Sequence, residues 1–167
     1  TNACEAELWL NGRSLGRKRV SFDDVEASMP RWRVPFEPGE LTARGYDAQG
    51  NCIGEVTRRT PGDSRRLVLR AEDAQLAGDG QDMTFIEITA ADAQGNPVDT
   101  ACDRVTVRVS GCGVLMGLDN GDSTDRDGYK TDTRRLFSGK LLAMVGALAG
   151  GGESLVEASA PGLETAQ

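Results

Sequence analysis

Residues 4–20, CEAELWLNGRSLGRKRV, carry the clearest fold signal of the chain. Before the Asn-Gly pair, small and apolar residues alternate with two glutamates and Trp9, which is the period of two shown by a strand with one buried face. Asn11-Gly12 tolerates the positive φ angles of a type I′ turn, whose twist matches that of paired strands. The residues that follow, 15–20, can form the returning strand. The stretch therefore predicts a β-hairpin.

The two-residue period recurs along the rest of the chain and predicts further strands. Ile53 and Val56 differ in parity within one of them, so we expect either a bulge or a register that parity does not assign. Segment 136–148 is interrupted by glycines and is interpreted as two strands and a hairpin, not as a buried helix. We also expect Trp32 to lie in the core and 114–118 to be a short buried strand. The other predicted strands are 32–36, 41–46, 52–60, 67–69, 83–90, 105–109 and 155–160.

One turn sequence, DAQGN, occurs twice, at 47–51 and at 92–96. Both copies are predicted to make tight hairpin connections in which the aspartate caps its own backbone and the glycine takes a positive φ. Five shared residues are explained by convergent turn chemistry without duplication.

Length and composition favour two small all-β domains. The chain has 167 residues with 21 Gly and only 5% aromatic residues, and no convincing long amphipathic helix. Short strands with regular turn signals indicate consecutive immunoglobulin-like β-sandwiches. The TPGDS stretch at 60–64 is the best boundary, which gives domains at 1–62 and 63–167.

Composition also excludes several functions. The chain has no histidine, so a Ser-His-Asp site, a His-ligated zinc centre and a histidine pH switch are impossible. A net charge of −7 disfavours nucleic-acid and membrane-surface partners. The four cysteines lack CxxC spacing, and reduced, partly buried thiols are favoured over Cys4–Cys52 and Cys102–Cys112 disulfides. No signal peptide or membrane span is visible, and the missing initiator Met suggests a fragment.

Two places offer candidate sites. The acidic loop 119–128 carries clustered oxygen ligands, with Asp119, Asn120 and Asp122 foremost, but it fails the EF-hand spacing. A solvated loop with Asx turns is favoured over carbohydrate or interdomain contact and over a metal. Trp9 lies on the polar face of its strand, where an interdomain contact is favoured over a half-exposed edge position and over sugar stacking. The arginine pairs, 134–135 among them, are interpreted as solvated or interface ion pairs.

The chain resembles a known family. The stretches TNACEAELWLNGRSLG and RWRVPFEPGELTARGYDAQGN are similar to the small sandwich that follows the catalytic barrel in bacterial β-galactosidases of glycoside hydrolase family 2. GDGQDMTFIEITAADAQGNPV and VTVRVSGCGVLMGLDNGD, with LFSGKLLAMV, are similar to the immunoglobulin-like domain that comes next. The resemblance implies retaining catalysis by two barrel glutamates, so no catalytic residue, metal or cofactor is assigned here. In that family a strand precedes the TN motif, so the first domain could lack an edge strand.

The leading hypothesis is therefore a non-catalytic accessory region of a β-galactosidase-like hydrolase. It buttresses the barrel, shapes substrate access or contributes to a homodimer, and its partners are the barrel and other domains of the parent chain. The alternatives are a carbohydrate-binding or adhesive module and a spacer from a surface protein. The bacterial cytoplasm, the periplasm and the exterior all stay open as compartments.

Overall fold

The structure, a computed structural model, describes residues 2–167. The chain divides into two compact units, Thr1–Thr60 and Pro61–Gln167. Antiparallel strands dominate both, and the helical content of the described residues is one turn. The predicted all-β fold class is confirmed.

Unit 1 contains a four-stranded antiparallel sheet. Its order is β2-β1-β3-β4, and the predicted hairpin joins β1 to β2 through Asn11 (φ 49°) and Gly12 (φ 76°). The predicted bulge is also present, because the register shifts by one residue between β3 and β4 and leaves Ile53 extra. The elements are β1 (Glu5–Leu10), β2 (Arg13–Arg19), α1 (Val25–Ser28), β3 (Glu40–Tyr46) and β4 (Cys52–Arg59).

The apolar face of this sheet is more open than the alternation predicted. Leu8 is only half-buried, Leu41 is 38% exposed and Val56 is 57% exposed. Leu10 on this face is buried, but so are Thr42 and Tyr46 on the polar face. Period-two alternation therefore identified the four strands of this sheet, but it did not predict that both faces carry buried residues.

The predicted strand at 32–36 is wrong. Residues 29–37 have no regular structure and run beside β2, where Trp32 Nε1 donates to the Gly16 carbonyl at 3.2 Å. Trp32 is half-buried and Phe36 is 81% exposed, so the predicted core position of Trp32 is wrong as well. Pro35 and Pro38 explain the difference, because proline has no N–H to give to a ladder.

Unit 2 contains two sheets, ordered β5-β6-β10-β8 and β11-β7-β9. Their inward side chains form one core, in which Ile88, Val105, Leu118 and Ala158 are completely buried. The strands are β5 (Arg66–Ala71), β6 (Met83–Ala91), β7 (Arg104–Gly111), β8 (Gly113–Asp119), β9 (Thr133–Arg135), β10 (Lys140–Ala147) and β11 (Ser154–Ser159).

Two predictions for unit 2 need correction. Residues 136–148 hold no helix but only one strand, β10, and not the two that were predicted. The preceding strand, β9, ends at Arg135 and pairs with β7, whereas β10 pairs with β6 and β8. The reversal between them, closed by an isolated Phe137–Lys140 bridge, therefore crosses between sheets and is not a hairpin within one. Strand β8 is buried on one face only, because Val114 and Met116 remain 39% and 47% exposed.

The two DAQGN turns have the same internal hydrogen bonds. In each, one oxygen of the aspartate accepts the N–H groups of the third and fifth turn residues, at 2.9 and 2.8 Å for Asp47 and at 3.0 and 2.8 Å for Asp92. The turn glycines have φ angles of 83° and 86°. The predicted turn chemistry is confirmed in both copies.

The four cysteines are free thiols in the structure. Cys4, Cys52 and Cys102 are exposed and Cys112 is half-buried, so the prediction of partly buried thiols holds for one of the four.

Candidate functional site

The acidic loop of unit 2 is organised around Arg134. This side chain is 2% exposed, and its Nε donates to Asp125 Oδ2 at 3.0 Å while Nη1 donates to the Leu118 carbonyl at 2.9 Å. The ring of Tyr129 lies 4.8 Å from the guanidinium carbon. A buried charge needs such partners, because removal from water is costly unless the charge is paired and hydrogen-bonded. The loop therefore forms the cover of a buried arginine.

The predicted loop residues take part in this arrangement. Asn120 donates its amide N–H groups to Asp125 Oδ2 at 2.8 Å and to the Arg135 carbonyl at 3.0 Å. Asp119 and Asp122 accept local backbone N–H groups at 3.0 and 2.8 Å, which are Asx turns. Across residues 2–167, no cluster of three or more acidic or cysteine side chains could hold a metal ion.

The carboxyl of Asp125 is held in its ionised form. The backbone N–H of Asp127, the Asn120 amide and Arg134 keep the pKa of Asp125 below its usual value. Hydrogen bonds to a carboxylate stabilise the charged form, so this side chain is a fixed acceptor rather than a proton donor.

Sequence reasoning missed the role of Arg134. It was interpreted together with Arg135 as a solvated or interface ion pair, whereas Arg134 is buried and only Arg135 is exposed. The alternation along β9 could have separated the two, because neighbouring residues of a strand face opposite sides. An arginine that faces inward needs an acidic partner, and the nearby acidic loop can supply a carboxylate.

Trp9 belongs to unit 1 and is partly covered. The Arg44 guanidinium carbon lies 5.0 Å from the centroid of its ring, and the indole Nε1 is buried without a hydrogen bond of standard geometry. A sugar that stacked on this ring would have to compete with Arg44. The acidic loop lies in the other unit.

Glu7 lies on the polar face of unit 1 beside Trp9 and contacts several of the polar side chains there. It accepts hydrogen bonds from Ser14 Oγ at 2.6 Å and from the Tyr46 hydroxyl at 2.8 Å, and it pairs with Arg17 at 3.5 Å. The Ser14 and Tyr46 bonds, with smaller contributions from Trp9 and Arg17, lower the pKa of Glu7. Conversely, its bond to Glu7 raises the pKa of Tyr46. The acceptor capacity of Glu7 is thus used within the sheet.

Unit 2 has an open groove at one side of its sandwich. The groove has a volume of about 890 Å³ and lies between the free edges of β5 and β11, with Leu69 and Val156 on its walls. We call it the edge groove. Its size is in the range of about 300 to 1,000 Å³ that is typical of ligand sites. Its lining residues, all within the described chain, include no aromatic and no basic side chain, so it lacks the stacking surface and the cations used for sugars and anions.

No helix among the described residues is long and apolar enough to cross a membrane.

Comparisons with known proteins account for nearly the whole chain. The model described as Glycoside hydrolase family 2 C-terminal domain 5 matches residues 67–167, and a domain of unknown function, DUF4982, matches residues 1–54. Beta-galactosidase BoGH2A of Bacteroides ovatus is 31% identical over 98% of this chain and 19% of its own length. A beta-galactosidase of Thermoanaerobacter pseudethanolicus is 25% identical over 70% of this chain and 17% of its own length.

Solved structures give the same picture. A beta-glycosidase from Bacteroides vulgatus superposes with a TM-score of 0.91 at 26% identity, over 99% of this chain and 21% of that one. A glycosyl hydrolase family 2 member from Bacteroides cellulosilyticus gives the same score and identity over the same shares. The chain thus spans about a fifth of the length of these relatives.

Proposed function

Because the chain belongs to the family described as Glycoside hydrolase family 2 C-terminal domain 5, we propose that it is the non-catalytic C-terminal region of a larger glycosidase. In this proposal the parent enzyme hydrolyses β-galactosides or related β-glycosides, as the names of its relatives suggest. Retention of configuration is what the resemblance to glycoside hydrolase family 2 implies. The 167 residues pack against other domains of the parent chain and support them.

The observation that carries the proposal is an exposed apolar face on the four-stranded sheet of unit 2. The side chains of this face point away from the core. Each one is next to a core residue along its own strand, or is paired with a residue of the neighbouring strand that also faces away from the core. Each is between 38% and 47% exposed. We call this the outer apolar face, and its members are Met83, Phe85, Val114 and Met116.

Such a face marks a contact surface. Contiguous exposed apolar patches are uncommon on proteins that act alone, and they usually identify interaction sites. Leu41 and Val56 give the sheet of unit 1 a similar open side. Each unit therefore has apolar surface available for a neighbouring domain.

Carboxyl chemistry supports the absence of a catalytic role. A retaining glycosidase needs an acid whose pKa is raised, facing a second carboxylate about 5 to 5.5 Å away. In the described residues, each carboxyl whose pKa departs from its usual value is shifted downward, because it accepts hydrogen bonds. These carboxyls are Glu7, Asp47, Asp79, Asp92 and Asp125.

For the four predicted contact residues we infer interdomain contact in preference to sugar binding. Arg44 lies over the ring of Trp9, and the polar groups of Asp119, Asn120 and Asp122 are engaged in their own loop. Calorimetric titration with galactosides at millimolar concentration checks this inference. Saturable heat that is lost on Trp9→Ala would establish the carbohydrate-binding alternative instead.

The main proposal is tested with purified full-length parent enzyme and with residues 1–167 alone, on aryl β-galactoside and aryl β-glucuronide. We expect turnover by the parent and none by the isolated chain, and turnover by the isolated chain would reject the proposal.

The role of the outer apolar face is tested by Phe85→Glu in the parent enzyme, with Phe137→Glu as the matched control. Phe137 is also exposed, at 46%, but lies in the turn before β10. We expect Phe85→Glu alone to lower the unfolding temperature of the parent and its activity. Equal behaviour of the two variants would show that this face is not a contact.

A further inference from the structure

We propose that the edge groove of unit 2 receives an extended strand of the parent polypeptide, from outside residues 1–167, and that this strand pairs with the edge of β11. The inference rests on the proposed function, because it needs a parent chain larger than this one. The groove is distinct from the outer apolar face, since it opens between the sheets rather than on the outside of one.

The wall formed by β11 presents backbone groups in the direction of the groove. Ala158 uses its N–H and its carbonyl, at 2.9 and 3.0 Å, on Ala166 and not on β7. Backbone groups alternate in direction along a strand, so those of Val156 and Ser154 point the same way as those of Ala158. Residues 153, 155 and 157 point toward β7, as the bond from Cys112 N–H to the Glu153 carbonyl shows.

The wall formed by β5 also presents backbone N–H and carbonyl groups toward the groove. Glu72 N–H donates to the Phe85 carbonyl on β6, whereas Leu67 N–H donates to the Glu164 carbonyl on the other side. By the same alternation, Leu69 and Ala71 direct their backbone groups away from β6 and toward the groove. Both strands are edges of their sheets.

The C-terminal segment of this chain already uses this kind of pairing. Glu164 forms a parallel bridge with Arg66, and Ala166 forms an antiparallel bridge with Ala158. The two edges are thus joined by polypeptide at one end of the slot. Beyond Ala166 the two strand edges share no backbone hydrogen bond, and Gln167 lines the groove. Past the far ends of the strands the loops that continue them meet, since the Gly150 N–H donates to the Gly78 carbonyl at 3.1 Å. Unpaired strand edges are templates for a further strand.

The lining defines the chemistry of that strand. Aliphatic side chains form the floor, including Ile86 and Val145, and the charged side chains of the lining are Asp73 and Glu153. Strand addition takes affinity from main-chain hydrogen bonds and specificity from pockets for alternate side chains. The occupant is therefore an extended segment whose small aliphatic side chains face the floor and which carries a lysine or arginine near Asp73 or Glu153.

Hydrogen exchange in the full-length parent enzyme tests the inference directly. The N–H groups of Leu155 and Glu157, which face β7, serve as the internal reference for those of Val156 and Leu69, which face the groove. With a strand in place, the groove-facing amides exchange about as slowly as the reference. With an empty groove they exchange at least about a hundredfold faster, because exposed edge amides open without unfolding, and that result would overturn the inference.

The occupant is identified by a photo-crosslinking residue at Ala71, in the groove wall. A crosslink to a segment of the same polypeptide outside residues 1–167 supports the inference. A crosslink between two copies, or to another protein, overturns it. Val156→Pro removes a groove-facing N–H and should reduce the crosslink about tenfold or more, since an edge strand tolerates proline only where that N–H has no partner. Val156→Ala keeps the N–H and should retain the crosslink.

The experiments distinguish failure of the strand-addition inference from failure of the proposed function. Fast exchange at Val156 together with a destabilised Phe85→Glu parent would reject the strand and leave the packing role in place. An isolated chain that hydrolyses glycosides would reject the proposed function itself.

Discussion

The backbone N–H of Gly62 donates to Oδ2 of Asp92 at 2.9 Å. Asp92 is buried, at 1% exposure, and it also holds its own DAQGN turn, so one carboxylate joins the start of unit 2 to the β6 turn. Asp47 holds the same turn in unit 1 but is only half-buried. The two aspartates form a natural matched pair, in which local sequence is constant and burial differs.

We predict that Asp92→Ala destabilises its unit more than Asp47→Ala does. Each variant loses the turn bonds, but only Asp92→Ala also leaves the Gly62 N–H without its buried acceptor. We expect the unfolding temperature to fall by about 5 °C or more for Asp92→Ala and by about half as much for Asp47→Ala. Thermal unfolding, with hydrogen exchange to assign each unit, measures both. Equal losses would show that the bond to Gly62 adds nothing.

Acid should destabilise unit 2 through the same carboxyl. Hydrogen bonds from Asn96 and then from Gly62 lower the pKa of Asp92 to about 2. The folded state therefore binds the proton less readily than the unfolded chain, whose aspartates titrate near pH 3.9. The stabilisation is complete above about pH 4 and disappears as the pH falls toward 2. Denaturant midpoints from pH 5 to pH 2 should decline less steeply in Asp92→Asn than in the native sequence, and parallel declines would contradict the assignment.

Removal of the buried arginine should be costly. Arg134→Ala leaves Asp125 without its ion-pair partner and the Leu118 carbonyl without the Arg134 donor, and we expect a loss of about 3 kcal/mol in the free energy of unfolding. Arg135→Ala, one residue along the same strand but exposed, should change it by less than about 0.5 kcal/mol. Urea titration of both variants measures the difference. If the two behave alike, the acidic loop does not depend on the arginine that it covers.

Two glycines with the same backbone angle separate conformational strain from steric clash. Gly121 and Gly139 both have a φ of 73°, but a Cβ on Gly121 would meet nothing within 4 Å, whereas on Gly139 it would lie 2.3 Å from the Val98 carbonyl oxygen. Gly121→Ala should cost about 1 to 2 kcal/mol, the usual cost of the left-handed region. Gly139→Ala should cost clearly more, because backbone atoms must move. Similar unfolding midpoints would contradict the close approach at Gly139.

The sequence predicted local structure well because strand and turn chemistry act over a few residues. The Asn11-Gly12 hairpin, the bulge at Ile53 and both aspartate turns follow from φ preferences and side-chain parity, and all are confirmed. The strand at 32–36 failed because apolar alternation was given more weight than Pro35.

Long-range relationships were beyond this reasoning. The alternation of side chains along a strand does not predict that β9 and β10 belong to different sheets. Each strand could pair with the edge of several others, and alternation does not distinguish among them. Nor did it identify Arg134 as buried, because its partner Asp125 comes from a loop nine residues away that was interpreted as solvated. The acidic segment was thus predicted correctly as a loop with Asx turns, while the buried arginine that it covers was missed.

The repeated DAQGN turn has a practical consequence for anyone who edits this domain. A mutational library scored by motif would assign one tolerance to both pentapeptides, yet substitutions in the copy beginning at Asp47 should cost less than those in the copy beginning at Asp92, which also binds a second segment of backbone. The position of a turn in the fold, and not its sequence, therefore determines how well each of the two identical pentapeptides tolerates substitution.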